Sequence, residues 1–332
     1  MKKVVVTGGA GFIGSHLTEA LVALGYHVTA LDDLSAGKLD NINDVLPEIE
    51  FIEGSIVDFP LLKQLFRDVD YVFHHAAIAS VPQSLDDPRK IHDINATGTL
   101  NVLLAASENK IKRLIFASSS AVYADDPVFP KKEDMMPSPL SPYAVSKLNG
   151  EHYCQVFGQV YNLPCVSLRY FNVYGPRQDP DSQYSAAIPK FISRILAGKS
   201  AVIFGDGEQT RDFAFVRDIV EANILAVQSD LCGVFNISCG TNITMNRLVG
   251  LISELTGKKL TPIYQEARLG DVRNSLADIS KARLFGYEPK YSLEDGLAET
   301  TNWIDGRPIS VKRGCCLCCR FRAHGFCFAC ST

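Results

Sequence analysis

Apolar residues arrive in short unbroken runs over the first half of the chain: Val4 to Val6, His27 to Leu31, Glu50 to Ile52, Tyr71 to Phe73, Leu114 to Phe116 and Cys165 to Leu168. Most are apolar at successive positions rather than at every second one, which marks strands covered on both faces, as in a parallel sheet. Helical patterns lie between them: Ile13 to Leu24, closed by Gly25 as a C-cap, then Asp93 to Asn109 and Tyr143 to Tyr161. Strand and helix repeated in this way predict an α/β fold, a doubly wound parallel Rossmann sheet. After Arg169 the segments shorten and turns multiply (Gly175-Pro176, Gly205-Asp206-Gly207), with helices near Val216 to Val227, Asn246 to Leu255 and Leu293 to Trp303. The chain is thus divided into a Rossmann domain over 1–168, a smaller mixed α/β substrate domain over 169–303 that can interleave with it, and a tail over 304–332. The loop Asp125 to Pro142, rich in proline and charge, is expected to cross the surface near the site.

Composition narrows the class without changing the picture. With 332 residues, 46% hydrophobic and 21% charged, the chain is long enough for about two domains and ordinary for a folded protein. A formal net charge of −4 argues against nucleic acid or an anionic membrane as partner. The first residues, MKKVVVTGGAGFIG, lack the apolar core of a signal peptide, and no run of membrane-spanning length occurs, so a cytoplasmic location is expected. Cys154, Cys165, Cys232 and Cys239 read as reduced, buried residues, whereas six of the ten cysteines crowd into 315–330. In that tail Cys315-x-x-Cys318 and Cys327-x-x-Cys330 have zinc-like spacing. The alternative is an extension beyond the natural end near Trp303, and no metal is expected.

Candidate chemistry begins at VVVTGGAGFIG, where Gly8, Gly11 and Gly14 stand between a predicted strand and a predicted helix. Glycine at these places admits the backbone to a pyrophosphate and lets helix pack on strand, and the helix N-terminus then faces the phosphates. Asp32 ends the second strand, 18 residues after Gly14. A carboxylate there accepts from a ribose diol and repels a 2′-phosphate, which favours NAD over NADP. Tyr143 and Lys147 stand four apart on one helical face, and Ser118-Ser119-Ser120 follows a strand at the carboxyl edge of the sheet. A phenol is a poor base at neutral pH, but a neighbouring ammonium and a positive nicotinamide are expected to lower its pKa. A serine hydroxyl beside it can hold a substrate oxygen and relay its proton.

These motifs, with His74-His75-Ala76-Ala77, Asn95-Ala96-Thr97-Gly98-Thr99, SSSAVY, SPYAVSK, RYFNVYGPRQDP and GDGEQTRDF, make residues 1–303 resemble the extended short-chain dehydrogenase/reductase family, specifically its UDP-hexose 4-epimerases. The resemblance implies NAD as cofactor and a UDP-sugar as substrate. It casts Tyr143 as acid/base, Lys147 as holder of the nicotinamide ribose and Ser119 as the catalytic hydroxyl, with Ser120 as a second candidate. Cofactor contacts are implied for Gly8, Gly11, Phe12, Ile13, Gly14, Asp32, Ser55, Ile56, Ala76, Ala77, Asn95 and Tyr170. On the substrate side Asn172 would touch the diphosphate, Val202 and Phe204 would line the uracil, Arg211 and Arg268 would clamp the diphosphate, and Asp271 would accept from the uridine ribose. Ser275 falls where narrower UDP-galactose 4-epimerases carry a tyrosine facing the sugar 2-substituent, which implies acceptance of N-acetylated sugars. A homodimer through the helices near 95–109 and 143–161 is implied too, with Tyr153, Val156, Phe157 and Val160 apolar on the second of them.

Three positions depart from the family pattern. Gly54-Ser55-Ile56 lacks the usual acid at the adenine edge, leaving Ser55 or Asp58 for that contact; Ala79 replaces a lysine near the pyrophosphate; Ala124 follows Tyr123 where glycine is usual. A 4,6-dehydratase needs an acid and a base after the catalytic hydroxyl, where this chain has Ser120 and Ala121. The remaining alternatives are a UDP-glucuronate 4-epimerase, another nucleotide-sugar enzyme of the family, and, in a different class, an NAD-binding sensor without catalysis.

Overall fold

The computed structural model describes residues 1–180, 187–267 and 272–307; the cysteine-rich tail, Arg268 and Asp271 lie outside the described residues. Seven parallel strands make the central sheet: β1 (Lys3–Thr7), β2 (His27–Asp32), β3 (Glu50–Glu53), β4 (Tyr71–His74), β5 (Arg113–Ser119), β6 (Cys165–Tyr170) and β7 (Gly233–Ile237). Their spatial order is β7-β6-β5-β4-β1-β2-β3. The winding reverses between β1 and β4, which opens a crevice at their carboxyl ends, where doubly wound folds place ligands.

Both faces of the sheet are covered, as the unbroken apolar runs require. Val4 and Val6 enter one core cluster while Val5 enters the other, since successive side chains of a strand point to opposite faces. Helices α1 (Phe12–Ala23) and α4 (Val216–Gln228) bury Leu17, Leu21, Ile219 and Ile224 in the first cluster. Helices α2 (Gly98–Glu108) and α3 (Pro142–Val160) bury Val102, Leu103, Cys154 and Phe157 in the second.

Two elements depart from the expected boundaries. The expected domain boundary at 168 cuts β6, which runs to Tyr170, and the segment 216–237 returns to the Rossmann layer as α4 and β7. The helical run expected from Asp93 begins earlier, at Pro88, and its middle, His92–Thr97, is wound as a π-helix before α2. The second lobe packs helices Ala187–Leu196, Met245–Thr256 and Leu293–Ile304 around Tyr174, Ile192, Phe213, Phe215 and Leu248. Short two-stranded ribbons join it: Val202–Phe204 with Ile263–Gln265, Thr210–Arg211 with Ile243–Thr244, and Val173–Tyr174 with Ala214–Phe215.

Helix α3 carries the site, and its seat on the sheet is close. Ser141 caps it by accepting from the Ala144 N–H at 3.2 Å, and Pro142 suits the first turn, where no N–H is needed. At Gly150 an added Cβ would lie 2.3 Å from Cζ of Phe116 on β5. Gly150→Ala is therefore expected to push α3 from β5 and destabilise the protein by about 1–3 kcal/mol, the usual cost of overpacking. Urea unfolding monitored by circular dichroism measures it, and an unchanged midpoint would contradict the packing argument.

Candidate active site

The crevice is lined first by the glycine turn. Gly8 takes φ +71°, and its N–H donates to the Leu31 carbonyl at 2.7 Å. A Cβ on Gly8 would lie 2.7 Å from the Ala76 nitrogen, and one on Gly14 would lie 1.9 Å from the Gly8 oxygen. Both glycines are thus required by backbone that has no room to retreat. Gly11 caps α1 with no side chain across its end, so the first N–H groups of the helix, at Phe12, Ile13 and Gly14, face the crevice. Ala76 and Ala77 follow β4 on the opposite wall. Asp32, buried at the end of β2, accepts from the Ala10 N–H at 3.0 Å and the Leu34 N–H at 2.9 Å. Burial raises its pKa while these N–H bonds oppose the rise. The cradle emptied of side chains, the open helix end and a carboxylate at the β2 edge together fit a dinucleotide.

Two residues expected at the cofactor also hold protein groups. The Asn95 amide accepts from the Ile78 N–H at 2.8 Å and donates to the Ile78 carbonyl and to Ser146 Oγ, each at 3.1 Å, so it ties the loop after β4 to α3. The Tyr170 hydroxyl is buried and bonded to Asn223 and to His75 Nε2, the last at 3.1 Å. Both side chains shape the wall through what they hold. Ile56 is buried against Gly98, while Ser55 is half-buried beside it. The Asp58 carboxylate caps the helix Phe59–Leu65 by accepting from the Leu61 N–H at 3.0 Å.

The candidate reacting groups converge on the carboxyl end of β5. Ser119 lies close enough to Tyr143 for its hydroxyl to lower the phenol's pKa, and Ser119 Oγ accepts from the Ala121 N–H at 3.2 Å. Lys147 is buried, donates to the Ala117 carbonyl at 2.8 Å, and stands 5.9 Å from the Tyr143 ring centroid. Burial lowers its pKa to about 8. The phenol, however, lies above its ordinary value, because burial raises it and only the Ser119 hydroxyl lowers it. The lowering expected from Lys147 is not found, since that ammonium points at the Ala117 carbonyl. Ser120 opens the short helical turn that follows Ser119.

The described candidates Val202, Phe204, Arg211 and Ser275 lie beyond β6, toward the second lobe, and Asn172 joins them. Asn172 Nδ2 donates to the Asp212 carbonyl at 2.8 Å and to Ser275 Oγ at 3.2 Å, so these two expected residues touch. Val202 and Phe204, both half-buried, share one strand, and Arg211 lies on the neighbouring ribbon, its Nη1 donating to the Thr210 carbonyl. Sequence reasoning missed Asp212, although it lay inside a quoted motif. Its carboxylate accepts from Ser238 Oγ at 2.6 Å and from the N–H groups of Cys239, Gly240 and Ala277, each at 3.1 Å. Burial pushes its pKa up to about 6 against those four bonds. Cys232, expected to be buried, is exposed, and Cys239 is half-buried. Among the described residues no group of three His, Cys, Asp or Glu side chains is placed to hold a metal.

The profile of the NAD dependent epimerase/dehydratase family matches residues 4–238, and the chain belongs to that family. A putative UDP-glucose 4-epimerase of Methanocaldococcus jannaschii is 39% identical over 303 residues, covering 91% of this chain and 98% of the relative. Among solved structures, the UDP-N-acetylglucosamine 4-epimerase of Methanobrevibacter ruminantium M1, in complex with UDP-N-acetylmuramic acid, is 45% identical with a TM-score of 0.89, covering 92% of this chain and 98% of that one. The UDP-glucose 4-epimerase of Thermotoga maritima with UDP-glucose is 41% identical with a TM-score of 0.88, covering 92% and 99%.

The buried lysine sets a pH dependence. In the unfolded chain Lys147 keeps its proton to about pH 10.4, whereas the folded protein releases it near 8. The unfolded state therefore binds more protons between these limits, and as pH falls through that window the lysine increasingly disfavours folding. Lys147→Met is expected to be more stable than wild type at neutral pH by about 3 kcal/mol, a gap that closes as pH rises from about 8 to 10. Denaturant titrations across that range would show a constant gap if the lysine were not desolvated.

Proposed function

We propose that the protein interconverts UDP-hexoses at C4 by transient oxidation. The Ser119–Tyr143 hydroxyl pair beside buried Lys147, at the mouth of a crevice shaped for a dinucleotide, carries this reading. NAD, when bound, supplies the reversible hydride acceptor that oxidation at C4 needs. Held in the glycine cradle, it would have Asp32 at its adenosine ribose and Lys147 at its nicotinamide ribose. Tyr143, relayed through Ser119, takes the proton of the 4-hydroxyl as the 4-keto sugar forms and returns one after the hexose has turned over. Arg211 and Arg268 grip the diphosphate, Val202 and Phe204 flank the uracil, and Asp271 accepts from the uridine ribose. The hexose stays loosely held, which lets it rotate. The nearby positions of Asn172 and Ser275, and the UDP-sugar 4-epimerases at 45% and 41% identity, support the reading. Proton transfer by a positioned group is worth about 10²–10⁴-fold, so Tyr143→Phe is expected to fold, to retain NAD(H) by native mass spectrometry and to lose turnover by that factor. Near-normal epimerisation of UDP-glucose and UDP-N-acetylglucosamine by the variant would refute the assignment.

Substrate range is placed on Ser275. Its hydroxyl already accepts from Asn172, so what the position offers an N-acetyl group is room. Both UDP-glucose/UDP-galactose and UDP-N-acetylglucosamine/UDP-N-acetylgalactosamine are therefore expected as substrate pairs. Ser275→Tyr should lose the acetylated pair by about tenfold or more, since about 1.4 kcal/mol of steric cost suffices for each factor of ten. Full activity of that variant on UDP-N-acetylglucosamine would overturn the argument.

A cytoplasmic homodimer completes the proposal. Val145, Val156 and Val160 are exposed along one side of α3 at 52%, 45% and 64%. Phe157, expected to join them, is instead buried in the core against the sheet. Such a stripe suits a partner helix. Cys154, Cys165, Cys232 and Cys239 are unbridged, which suits a reducing compartment, and among the described residues no helix is long and apolar enough to cross a membrane. Light scattering at micromolar concentration should give twice the chain mass; a monomer would count against the dimer.

A further inference from the structure

The last three residues of β5 each meet a different residue of α3. The Ala117 carbonyl accepts from Lys147 at 2.8 Å, Ser118 Oγ donates to Glu151 Oε1 at 2.5 Å, and Ser119 stands beside Tyr143. On the helix these partners are 143, 147 and 151, spaced by one turn along a single stripe. The third member, Glu151, has no role in the reaction outlined above. We propose that Glu151 is a positioning residue for the proton transfer, gripping Ser118 so that the adjoining Ser119 stays aimed at Tyr143.

The carboxylate is itself immobilised. Arg169 on β6 meets it with two bonds, Nε to Oε1 at 2.8 Å and Nη2 to Oε2 at 2.7 Å. Ser118, Glu151 and Arg169 are 3%, 4% and 3% exposed. The guanidinium is further fixed over the Tyr123 ring, 4.6 Å from its centroid, and the Tyr123 hydroxyl donates to Asn236 on β7 at 2.8 Å. Releasing one partner of a buried ion pair strands the other charge, so Glu151 has a single stable place. A bracket thus runs from β7 through β6 and α3 to the residue before the catalytic hydroxyl. A displacement of about 1 Å at reacting atoms can cost about a hundredfold in rate, so the bracket governs turnover as well as stability.

Ser118→Ala separates the two roles, because it releases β5 and leaves the Glu151–Arg169 pair intact. The kinetic arm rests on the epimerase reading. Expected are a fall in kcat for UDP-hexose epimerisation of about tenfold or more, KM within about twofold and a melting temperature within a few degrees, with Ser118→Thr, which restores the hydroxyl, recovering most of kcat. A second readout needs no turnover: ultraviolet difference titration of the Tyr143 phenol, each background compared with its Tyr143→Phe counterpart. The Ser119 hydroxyl holds that phenol's pKa down, so letting it drift away in Ser118→Ala should move the midpoint to higher pH. A wild-type kcat in Ser118→Ala overturns the proposal. Where wild type itself shows no turnover, the epimerase reading falls and the phenol midpoint alone decides, an unchanged midpoint overturning the proposal. Should Ser118→Ala fail to fold, Glu151→Asp, too short to reach both Ser118 and Arg169, is measured against the same outcomes.

Discussion

Helix α3 lies so close to β5 that a single Cβ at Gly150 would penetrate the Phe116 ring, and the rest of the site hangs on that contact. A helix held at this distance has no freedom to slide, because close-packed interiors do not deform gradually. Its polar stripe at 143, 147 and 151 is thereby pressed onto the end of the strand, where Ser119, Ala117 and Ser118 receive it. The same closeness strips water from Lys147 and lowers its pKa to about 8. Packing and proton chemistry are thus one arrangement seen at two scales.

The opposite wall of the crevice is built by the same economy of space. Gly8 passes within contact of Ala76, and Gly14 lies over the Gly8 carbonyl, so β1, α1 and β4 meet through backbone alone. Two histidines follow that junction. His74 is bonded on both ring nitrogens to threonines, Thr7 Oγ1 at 2.8 Å and Thr99 Oγ1 at 2.9 Å, and His75 reaches Tyr170. Burial lowers the pKa of both, that of His75 to about 3, so they serve as neutral hydrogen-bonding struts. Neutral walls leave the Lys147 ammonium to face this edge, where a dinucleotide and a phenol would meet.

The second lobe is organised around one buried carboxylate. Asp212 gathers three backbone N–H groups and one hydroxyl from two separate segments, 238–240 and Ala277. Its own backbone carbonyl receives Asn172, which in turn reaches Ser275. Loops that would otherwise be independent are drawn to one point, since a desolvated carboxylate leaves its donors no equivalent partner elsewhere. This is how residues a hundred positions apart come to share one wall.

What the sequence determined by itself follows from short-range rules. Unbroken apolar runs named six of the seven central strands; the glycine spacing, Asp32 and the Tyr143/Lys147 spacing named the two walls, because period and backbone sterics are written locally. What only the tertiary structure decided depends on groups far apart in the chain. The strand Gly233–Ile237 joins the sheet beside β6, though its apolar run is short. Glu151 stood four residues after Lys147, a spacing that could have drawn notice, but its partners Ser118 and Arg169 come from two other strands. The partners that fix Asn95 and Tyr170, namely Ile78, Ser146, His75 and Asn223, likewise come from distant segments. The surroundings of the phenol depend on the same assembly: burial raises its pKa, and the Lys147 ammonium donates to a backbone carbonyl. Sequence spacing shows which groups can meet on one element; burial and competition for hydrogen-bond partners are properties of the assembled core.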